Sequence, residues 1–415
     1  MLIRLYSLIY FLFIPYVLAK GIYRREGLRI LERLACYFRS RYPYENCLWL
    51  HAVSVGEVIS VIPLVKLLLN KGEKIVLTTG TISGSETCRR YLGDSVENVF
   101  FPVDLTFVIS RFVKYFRPKA VIITEVELWP NLLFFCKKNN IKISLINGRL
   151  SSRTFRRLSN LPKNLGDMLL SFDKVICQNQ LYAERFEDLG LKKSSVFVSG
   201  NMKFDVKPSF NLETELIKKL DKLFRHKKIV VFGSTHPEED SKILEVTKIL
   251  QKSFKELFIV QAPRYIQNSQ SIVKKYSGAG LKVTTLSQIL IDNTAKDGLI
   301  VDRFGVLNYF YSKARVAFVG GSFEEKGCHN VVEPAYFGVP VIVGPHIENF
   351  QYEVHSMEKR GILFIVNNSK ELSSAISNLL ISKNCTEKIK FNCRNFILSE
   401  KGGVKKTLEI LDYSN

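Results

Sequence analysis

Glu57 is the first residue of the chain whose type and surroundings suit acid–base chemistry. It ends the motif Ser54-Val-Gly-Glu57, which follows a strand-like run at 47–53 and opens a helical run at 58–69. A carboxylate placed where a parallel strand ends can take the proton from an attacking hydroxyl group. The same motif also matches a capping box, in which Ser54 caps the helix and Glu57 folds back to the cap N–H. The local pattern leaves both interpretations open.

Glu125 and Lys203 are further candidates in the first half of the chain. Glu125 and Glu127 follow another strand, in Glu125-Val-Glu-Leu-Trp-Pro-Asn131, and both reach one side only if the chain is extended there. A buried glutamate needs a partner, so a structural ion pair is the simpler interpretation. Lys203, in Gly200-Asn-Met-Lys-Phe-Asp205, is either an ordinary surface lysine or a point charge for a phosphate or carboxylate.

Two loops in the second half of the chain suit an anion. The motif Gly233-Ser-Thr-His-Pro-Glu238 follows a strand and starts a helix, so the N–H groups around Ser234 and Thr235 suit a phosphate. Thr235 and Glu238 are also spaced as a capping box, which accounts for part of this pattern. After the next strand, Pro263-Arg264 offers a guanidinium for phosphate or base, and a plain surface loop is the alternative.

The loop after the apolar strand at 316–319 has the most specific pattern. Gly320-Gly321-Ser322 follows the strand at once, and its glycines allow positive φ and close approach of the backbone to a ligand. A short helix is predicted at 330–338, because Pro334 fits only a first helical turn. Glu333 then lies near a helix start at the edge where open α/β sheets bind nucleotides. Tight-turn glycines and a dipole-complementing glutamate are the structural alternatives, but the combination favours function.

Short apolar runs predict the strands that position these residues. The first series is 47–53, 74–79, 120–123, 143–146, 174–177 and 196–199, and the second is 228–232, 258–260, 299–301, 316–319 and 339–343. Helical patterns separate most of these runs, as in doubly wound α/β sheets. A length of 415 residues favours two domains, and 205–210 has the character of a linker. We therefore predict Rossmann-like domains at 21–205 and 206–415, facing a cleft.

Composition limits the partners and metals that the chain can have. The net charge of +21 indicates a polyanionic neighbour, and no nucleic-acid-binding motif accompanies it. The eight cysteines are scattered without a C-x-x-C pair, which indicates reduced, buried residues in a cytosolic compartment. His329 and His346 lack ligand spacing with any cysteine or carboxylate cluster, so no structural metal is predicted.

The N-terminal segment is apolar with a basic flank. Residues 5–19 carry no charge, and Arg4 and Lys20 enclose them. The run is shorter than the roughly 20 residues that a full span needs. A signal peptide, a buried first helix and a monotopic or single-span anchor are the three interpretations. The anchor, at 1–20, fits the basic flank and a body on the cytoplasmic face of a membrane best.

The ordered set of motifs resembles the 3-deoxy-D-manno-octulosonic acid (Kdo) transferase family. The resemblance extends from the apolar N-terminus nearly to the end of the chain. The matching motifs are Ser54-Val-Gly-Glu57, Glu125-Val-Glu-Leu-Trp-Pro-Asn131, Asn147-Gly-Arg-Leu-Ser151, Cys177-Gln-Asn-Gln180, Gly200-Asn-Met-Lys-Phe-Asp205, Ser234-Thr-His-Pro-Glu238, Ala262-Pro-Arg264 and 318–345.

The resemblance implies an α/β GT-B glycosyltransferase that moves Kdo from CMP-Kdo to the lipid A precursor at an anionic inner-membrane surface, with inversion and without a metal or other cofactor. It implies that Glu57 is the general base and that Glu125 and Lys203 assist it, although Glu127 is close enough to exchange roles with Glu125. The implied CMP contacts are Pro263, Arg264, Phe304, Gly305, Val306, Asn330, Val331, Val332 and Glu333. Ser234, Thr235, Gly321 and Ser322 are candidates for the donor loops.

The weakest points of the match lie in the second domain. Phe304-Gly-Val306 stands in a weakly patterned stretch, and Cys328 occupies a position where a second glycine is expected before His329. Two alternatives remain: a GT-B epimerase acting on a soluble UDP-sugar, and an inactive membrane-associated binding protein. The epimerase would not need the apolar N-terminus, and the binding protein would have no use for Glu57 together with Lys203.

Overall fold

The structure, a computed structural model, describes residues 2–412 except 13, 16–28, 37, 39–44, 163–165, 167–169 and 291–295. The chain divides into two compact units. Unit 1 contains Met1–Val206 and Glu400–Asn415, and unit 2 contains Lys207–Ser399. Each unit is built on its own parallel sheet.

Unit 1 has a seven-stranded sheet in the order β3-β2-β1-β4-β5-β6-β7, parallel throughout. Its strands are β1 Leu48–His51, β2 Ile75–Thr79, β3 Glu97–Phe100, β4 Ala120–Thr124, β5 Lys142–Gly148, β6 Lys174–Cys177 and β7 Val196–Val198. Its first helices are α1 Leu2–Leu12, α2 Arg29–Arg33, α3 Val55–Asn70, α4 Ile82–Leu92, α5 Thr106–Phe116, α6 Pro130–Lys138, α7 Ser152–Ser159 and α8 Gln180–Asp188.

Unit 2 repeats this architecture with the strand order β10-β11-β9-β8-β12-β13-β14, again parallel. Its strands are β8 Lys228–Thr235, β9 Leu257–Pro263, β10 Val283–Thr285, β11 Gly298–Ile300, β12 Val316–Val319, β13 Val341–Val343 and β14 Leu363–Ile365. Its helices are α9 Thr214–Phe224, α10 Asp240–Ser253, α11 Ser269–Gly278, α12 Leu307–Lys313, α13 Val332–Tyr336, α14 Gln351–Lys359, α15 Ser369–Ile381 and α16 Lys383–Glu400.

Helices cover both faces of the first sheet, which explains why its central strands are apolar on both sides. Strand β1 is fully buried along its length. Trp49 belongs to one core cluster, whereas its neighbours Leu48 and Leu50 belong to another. Alternate residues of a strand face opposite sides of the sheet, so apolar residues are needed on both faces here, and His51 at the end of β1 is the polar exception.

Each sheet has a point where two neighbouring strands are followed by connections that run in opposite directions along the sheet. In unit 1 this point lies between β1 and β4, and in unit 2 it lies between β8 and β12. Loops leaving the carboxyl ends of two such strands diverge and leave a crevice in which α/β proteins bind ligands. Ligand-binding residues of each unit are therefore expected at the carboxyl ends of these four strands.

The end of the chain returns to unit 1, which differs from the predicted domain at 206–415. The last helix, α17 Gly403–Leu411, places Val404 and Leu411 in the unit 1 core. The carboxylate of Asp205 accepts the N–H groups of Gly402 and Val404, both at 2.7 Å. These contacts bind the returning segment to the residues that precede unit 2.

The predicted anchor, residues 1–20, lies partly outside the described residues, since 1, 13 and 16–20 are not described. Helix α1 packs one side on unit 1, where Tyr10 contacts the core and Ser7 donates to Asn131 at 3.0 Å. Among the described residues, no helix combines the length and the apolar character needed to cross a membrane.

Candidate active site

Glu57 lies in the first turn of α3, directly after β1, as its motif predicts. Ser54 is the N-cap residue, and its hydroxyl accepts the N–H of Glu57 at 3.4 Å. The Glu57 carboxylate accepts the N–H of Val53 and the hydroxyl of Ser54, both at 2.8 Å. The structure therefore contains a capping interaction, displaced by one residue from the predicted contact with the Ser54 N–H.

The electrostatics of Glu57 suit a base more than a simple cap. Burial and then the negative charge of Glu125 raise the pKa of Glu57 above its usual range. The hydrogen bonds from Val53 and Ser54 and the charge of Lys203 oppose this shift. A carboxylate with a raised pKa is a stronger proton acceptor when it is ionised.

Glu125 and Lys203 form an ion pair at the end of β4, the strand next to β1. Lys203 Nζ lies 2.8 Å from Glu125 Oε1, and the two side chains are 19% and 22% exposed, so solvent screens the pair only partly. Burial alone would raise the pKa of Glu125, but the charge and hydrogen bond of Lys203, with the charge of Arg149, lower it. Glu125 is therefore held ionised.

The backbone at both residues is shaped for this pair. Glu125 has φ +60°, a left-handed conformation that costs free energy in a non-glycine residue and is found where side chains are held for function. Lys203 stands in a 3-10 turn, Met202–Asp205, whose start is capped by the Asn201 side chain. The left-handed residue after β4 and the capped turn after β7 thus bring Glu125 and Lys203 together in one ion pair.

The sequence allowed Glu125 and Glu127 to exchange roles, but the structure gives the two carboxylates different surroundings. The ion pair to Lys203 is made by Glu125. Burial, followed by the charges of Glu57 and Glu125, raises the pKa of Glu127 to about 7. The surroundings therefore raise the pKa of Glu57 and Glu127 and lower that of Glu125, and pKa values pushed apart in this way suit separate acid and base roles.

A cavity of about 180 Å³ lies beside this cluster within unit 1. Val53 lines it and also donates its N–H to Glu57. His51 and Trp129 line it too, and the rings of Phe101 and Trp129 pack at a tilt of 33° with centroids 4.8 Å apart. Trp129 therefore forms part of an aromatic wall next to the carboxylates.

In unit 2, the predicted donor residues follow the carboxyl ends of four adjacent strands. Phe304, Gly305 and Val306 follow β11, Pro263 and Arg264 lie at the end of β9, Ser234 and Thr235 end β8, and Gly321, Ser322, Asn330, Val331, Val332 and Glu333 follow β12. The sheet therefore places all of them along one edge of unit 2. Their contacts with a nucleotide remain predictions.

Glu239 connects two loops of this edge, and the sequence did not single it out. It is fully buried, and its carboxylate accepts the N–H groups of His236, Gly321 and Phe323 at 2.9, 2.9 and 3.2 Å. It thereby joins the loop after β8 to the loop after β12. Glu239 directly follows Glu238, and no sequence pattern shows which of these two glutamates is the buried one.

The capping box predicted at Thr235 and Glu238 is wrong. Thr235 is the last residue of β8, where its hydroxyl accepts from Gln261 at 3.1 Å, and α10 begins later, at Asp240. Glu238 pairs with Lys326 at 3.0 Å. The N–H groups expected to seat a phosphate at this helix start are thus not all available, since Glu239 takes that of His236.

The two glycines after β12 serve different purposes. Gly321 has φ +76°, a conformation that the sequence allowed at both glycines. A Cβ added at Gly320 would lie 2.7 Å from Ser234 O, Thr235 Cα and Glu239 Oε2. The close approach at Gly320 is therefore made to the neighbouring loop, and Ser322 is likewise internal, with its hydroxyl donating to the Val319 carbonyl at 2.7 Å.

The helix expected at 330–338 is shorter than predicted and spans Val332–Tyr336. Asn330 lies before it, accepts the N–H of Val332 and donates its side-chain amide to Glu333 at 3.0 Å. Glu333 therefore stands in the first turn, as predicted. Phe304 is 69% exposed, which leaves its ring available to a ligand.

His236 and His329 form a pair that sequence reasoning missed. Their Nε2 atoms are 2.9 Å apart and their rings are parallel within 1°. Burial and neighbouring cations lower the pKa of both imidazoles, that of His329 to about 4. The two residues are 93 positions apart, so no local pattern could have joined them.

Within the described residues, no group of three or more His, Cys, Asp or Glu side chains could hold a metal ion. Metal independence remains a prediction.

Comparison with known proteins gives consistent matches. A family model described as 3-Deoxy-D-manno-octulosonic-acid transferase (kdotransferase) matches residues 28–206. A 3-deoxy-D-manno-octulosonic acid transferase of Haemophilus influenzae is 31% identical over 395 residues, which are 93% of this chain and 91% of the relative.

Solved structures match the fold over both units. A UDP-N-acetylglucosamine 2-epimerase has a TM-score of 0.61 at 14% identity and covers 90% of this chain and 98% of its own. A glycosyltransferase from Rickettsia africae has a TM-score of 0.60 at 14% identity and covers 89% and 100%. These likenesses confirm the predicted fold of two parallel-sheet α/β domains of the GT-B type, and at this identity they show the fold alone.

Proposed function

Because the chain belongs to the 3-deoxy-D-manno-octulosonic acid transferase family, we propose that it transfers Kdo from CMP-Kdo to a lipid A precursor in lipopolysaccharide biosynthesis. The observation that carries this proposal is the carboxylate cluster of unit 1, where Glu57, Glu125 and Lys203 converge at the reversal point of the sheet. The order of the motifs, which the sequence alone linked to this family, agrees with the family assignment.

Glu57 acts as the general base in this proposal. It accepts the proton of the acceptor hydroxyl as that oxygen attacks the anomeric carbon of Kdo. Its hydrogen bonds from Val53 and Ser54 fix the direction of the carboxylate before substrate arrives. Glu125, held ionised by Lys203, adds a negative charge that raises the pKa of Glu57 and so increases its basicity.

The donor is held by unit 2. Arg264 is exposed at the end of β9, where its guanidinium suits the phosphate of CMP. Asn330 donates to Glu333 at the start of α13, and in this proposal their amide and carboxylate would donate and accept hydrogen bonds to the nucleoside. A single displacement assisted by one base inverts the anomeric centre. Cationic side chains would stabilise the leaving phosphate in place of a metal.

The test is an incubation of the full chain with CMP-Kdo and a tetraacylated lipid A precursor, followed by mass spectrometry of the lipid. We expect the lipid to gain the mass of Kdo, in EDTA as well as without it. Glu57→Gln should form far less product, and UDP-N-acetylglucosamine should not be converted. Epimerisation of that sugar without lipid modification would replace the proposal by the epimerase alternative, and an absolute requirement for added magnesium would remove metal independence.

We also propose that α1 binds the surface of an anionic inner membrane from its cytoplasmic face. Leu8, Phe11 and Leu12 lie on one side of α1 and are 60%, 54% and 72% exposed, while Tyr10 packs on the core. An amphipathic helix in this position inserts its apolar side among lipid headgroups. The net charge of +21 would add attraction to anionic lipids.

Vesicle cosedimentation tests the membrane proposal. Replacing Leu8, Phe11 and Leu12 by serine should reduce binding to vesicles rich in phosphatidylglycerol, because it removes the apolar side while leaving the core contact of Tyr10. A matched control replaces Phe107, which is 54% exposed on α5, by serine. Equal binding by the triple variant and the control would contradict insertion by α1.

A further inference from the structure

An anion bound by the loops after β8 and β12 needs side chains to hold it. Three backbone N–H groups of these loops, those of His236, Gly321 and Phe323, already donate to Glu239. The charge of Arg264 reaches both imidazoles of the His236–His329 pair. Side chains near these loops that can donate to an anion include the two imidazoles and their cationic neighbours.

Lys326 determines which nitrogen of His236 carries the proton. Its Nζ lies 3.4 Å from Nδ1 of His236, and an ammonium group can only donate. Nδ1 of His236 is therefore the accepting nitrogen. A neutral imidazole has one N–H, so the proton of His236 is on Nε2 and is donated across 2.9 Å to Nε2 of His329.

The same reasoning places the proton of His329 on Nδ1. This nitrogen has no hydrogen-bond partner among the residues that the structure describes, and it is not one of the buried polar atoms lacking a partner. It is therefore an N–H that reaches solvent. A chain of hydrogen bonds that starts at an ammonium group polarises each following donor, so the last N–H is strengthened.

We propose that His329 donates this Nδ1–H to the phosphate of the nucleotide donor, with His236 and Lys326 as positioning residues that fix the tautomer. The inference rests on the proposed function, because the phosphate is that of CMP-Kdo. When the bond between the anomeric carbon and the phosphate oxygen breaks, its electron pair stays on that oxygen. A hydrogen bond to the phosphate strengthens as this charge develops, which favours departure of CMP.

Binding of CMP and cytidine to the full chain, measured by titration calorimetry, tests the donor directly. His329→Gln places an amide near the position of Nε2 and removes the donor at Nδ1, whereas His329→Asn places an amide N–H near Nδ1. We expect His329→Gln to weaken CMP binding about tenfold, the scale of one hydrogen bond to a charged group. Cytidine binding should be unchanged in both variants, and His329→Asn should retain most of the CMP affinity.

The positioning role is tested at His236. His236→Gln can still donate to Nε2 of His329, whereas His236→Phe cannot, so only His236→Phe should weaken CMP binding relative to cytidine. His355→Gln is the matched control, since His355 is an exposed histidine of the same unit with its side chain 49% exposed. Its affinities for CMP and cytidine should equal those of the wild type.

The outcomes separate this inference from the proposed function. Unchanged CMP binding by His329→Gln, or an equal loss of CMP and cytidine binding, overturns the phosphate contact while leaving the CMP donor in place. A wild-type protein that binds neither molecule overturns the proposed donor, and this inference with it. A selective loss of CMP affinity in His329→Gln, restored in His329→Asn, supports the contact.

Discussion

Glu57 has two roles at one position, and they do not compete for the same atoms. Its carboxylate accepts the N–H of Val53 through Oε2 and the hydroxyl of Ser54 through Oε1. Each carboxylate oxygen can accept more than one hydrogen bond. A capping carboxylate can therefore also receive a proton from a bound hydroxyl group, and the cap supplies the orientation that a base needs.

Glu57→Gln should separate these two roles. Glutamine serves in a capping box as glutamate does, so the free energy of unfolding should fall by less than about 1 kcal/mol. The amide cannot take the acceptor's proton, so turnover should fall by roughly two to four orders of magnitude. Denaturant unfolding and a Kdo transfer assay measure the two effects. Glu86→Gln, at an exposed position on α4, is the control. Near-normal Kdo transfer by a folded Glu57→Gln protein would mean that Glu57 serves only as a helix cap.

Lys203→Met should move the rising limb of the pH–activity profile to higher pH. Lys203 lowers the pKa of both Glu57 and Glu125, so removing its charge raises both. The base works only when it is ionised, so a higher pKa of Glu57 moves the rise of kcat/KM to higher pH. Profiles of wild type and variant provide the comparison, with the exposed Lys207→Met as control. If the rising limb of the profile stays at the same pH while kcat falls, Lys203 contacts a substrate and does not act through the pKa of Glu57.

The positions of the candidate residues in the fold were predictable from the sequence where a motif follows a strand, and not where an interaction joins distant loops. Glu57 and Glu333 were located because each follows a buried strand and opens a helix. Glu239 was missed because its partners at Gly321 and Phe323 lie 82 and 84 positions away. Its neighbour Glu238 matched a local capping pattern with Thr235, but β8 extends to Thr235, so this residue does not cap a helix.

At the level of elements, the interior strands were predictable and three of the four edge strands were not. The missed strands are β3, β10 and β14, each at the edge of a sheet. An edge strand is paired on one side only and needs less apolar sequence, as in Glu97–Phe100 and Val283–Thr285, or is short, as in Leu363–Ile365. The apolar runs that identify strands mark the centre of a sheet.

Gly320→Ala should destabilise the protein by about 1–3 kcal/mol, the usual cost of forcing an extra methyl group into a packed interior. The new Cβ would lie 2.7 Å from Ser234 O and Thr235 Cα, and backbone atoms at this distance cannot yield cheaply. Denaturant unfolding measures the change. Gly278→Ala, where no atom lies within 4 Å of the added Cβ, is the control and should be neutral or slightly stabilising.

Loss of stability is not the only effect expected of Gly320→Ala. The same Cβ lies 2.7 Å from Glu239 Oε2, which holds the loops after β8 and β12 together. CMP binding should therefore weaken in the folded variant as well. Stability and CMP affinity equal to those of Gly278→Ala would show that the two loops can separate freely.

At the scale of the whole molecule, the chain leaves unit 1, builds unit 2 and returns. The predicted division at 205 agrees closely with the first crossing, because a linker has a recognisable composition. The second crossing, at 399–400, falls at the end of α16, where helical sequence gives no composition change. Only the contacts of α17, through Asp205 and the core residues Val404 and Leu411, assign it to unit 1.

The fragment 207–399 should therefore be a better-behaved donor unit than the fragment 206–415 that the sequence predicted. The longer fragment retains α17 but lacks the unit 1 core that buries Val404 and Leu411, so these side chains would be exposed to solvent. Exposed apolar surface promotes association, and we expect the longer fragment to bind a hydrophobic dye and to form oligomers.

Both fragments should bind CMP, because every predicted CMP contact lies between 263 and 333. Size-exclusion chromatography and CMP titration provide the comparison, with a Val404→Ser, Leu411→Ser variant of the longer fragment as control for the apolar side of α17. An aggregated 207–399 beside a monomeric 206–415 would mean that the returning helix stabilises unit 2 instead.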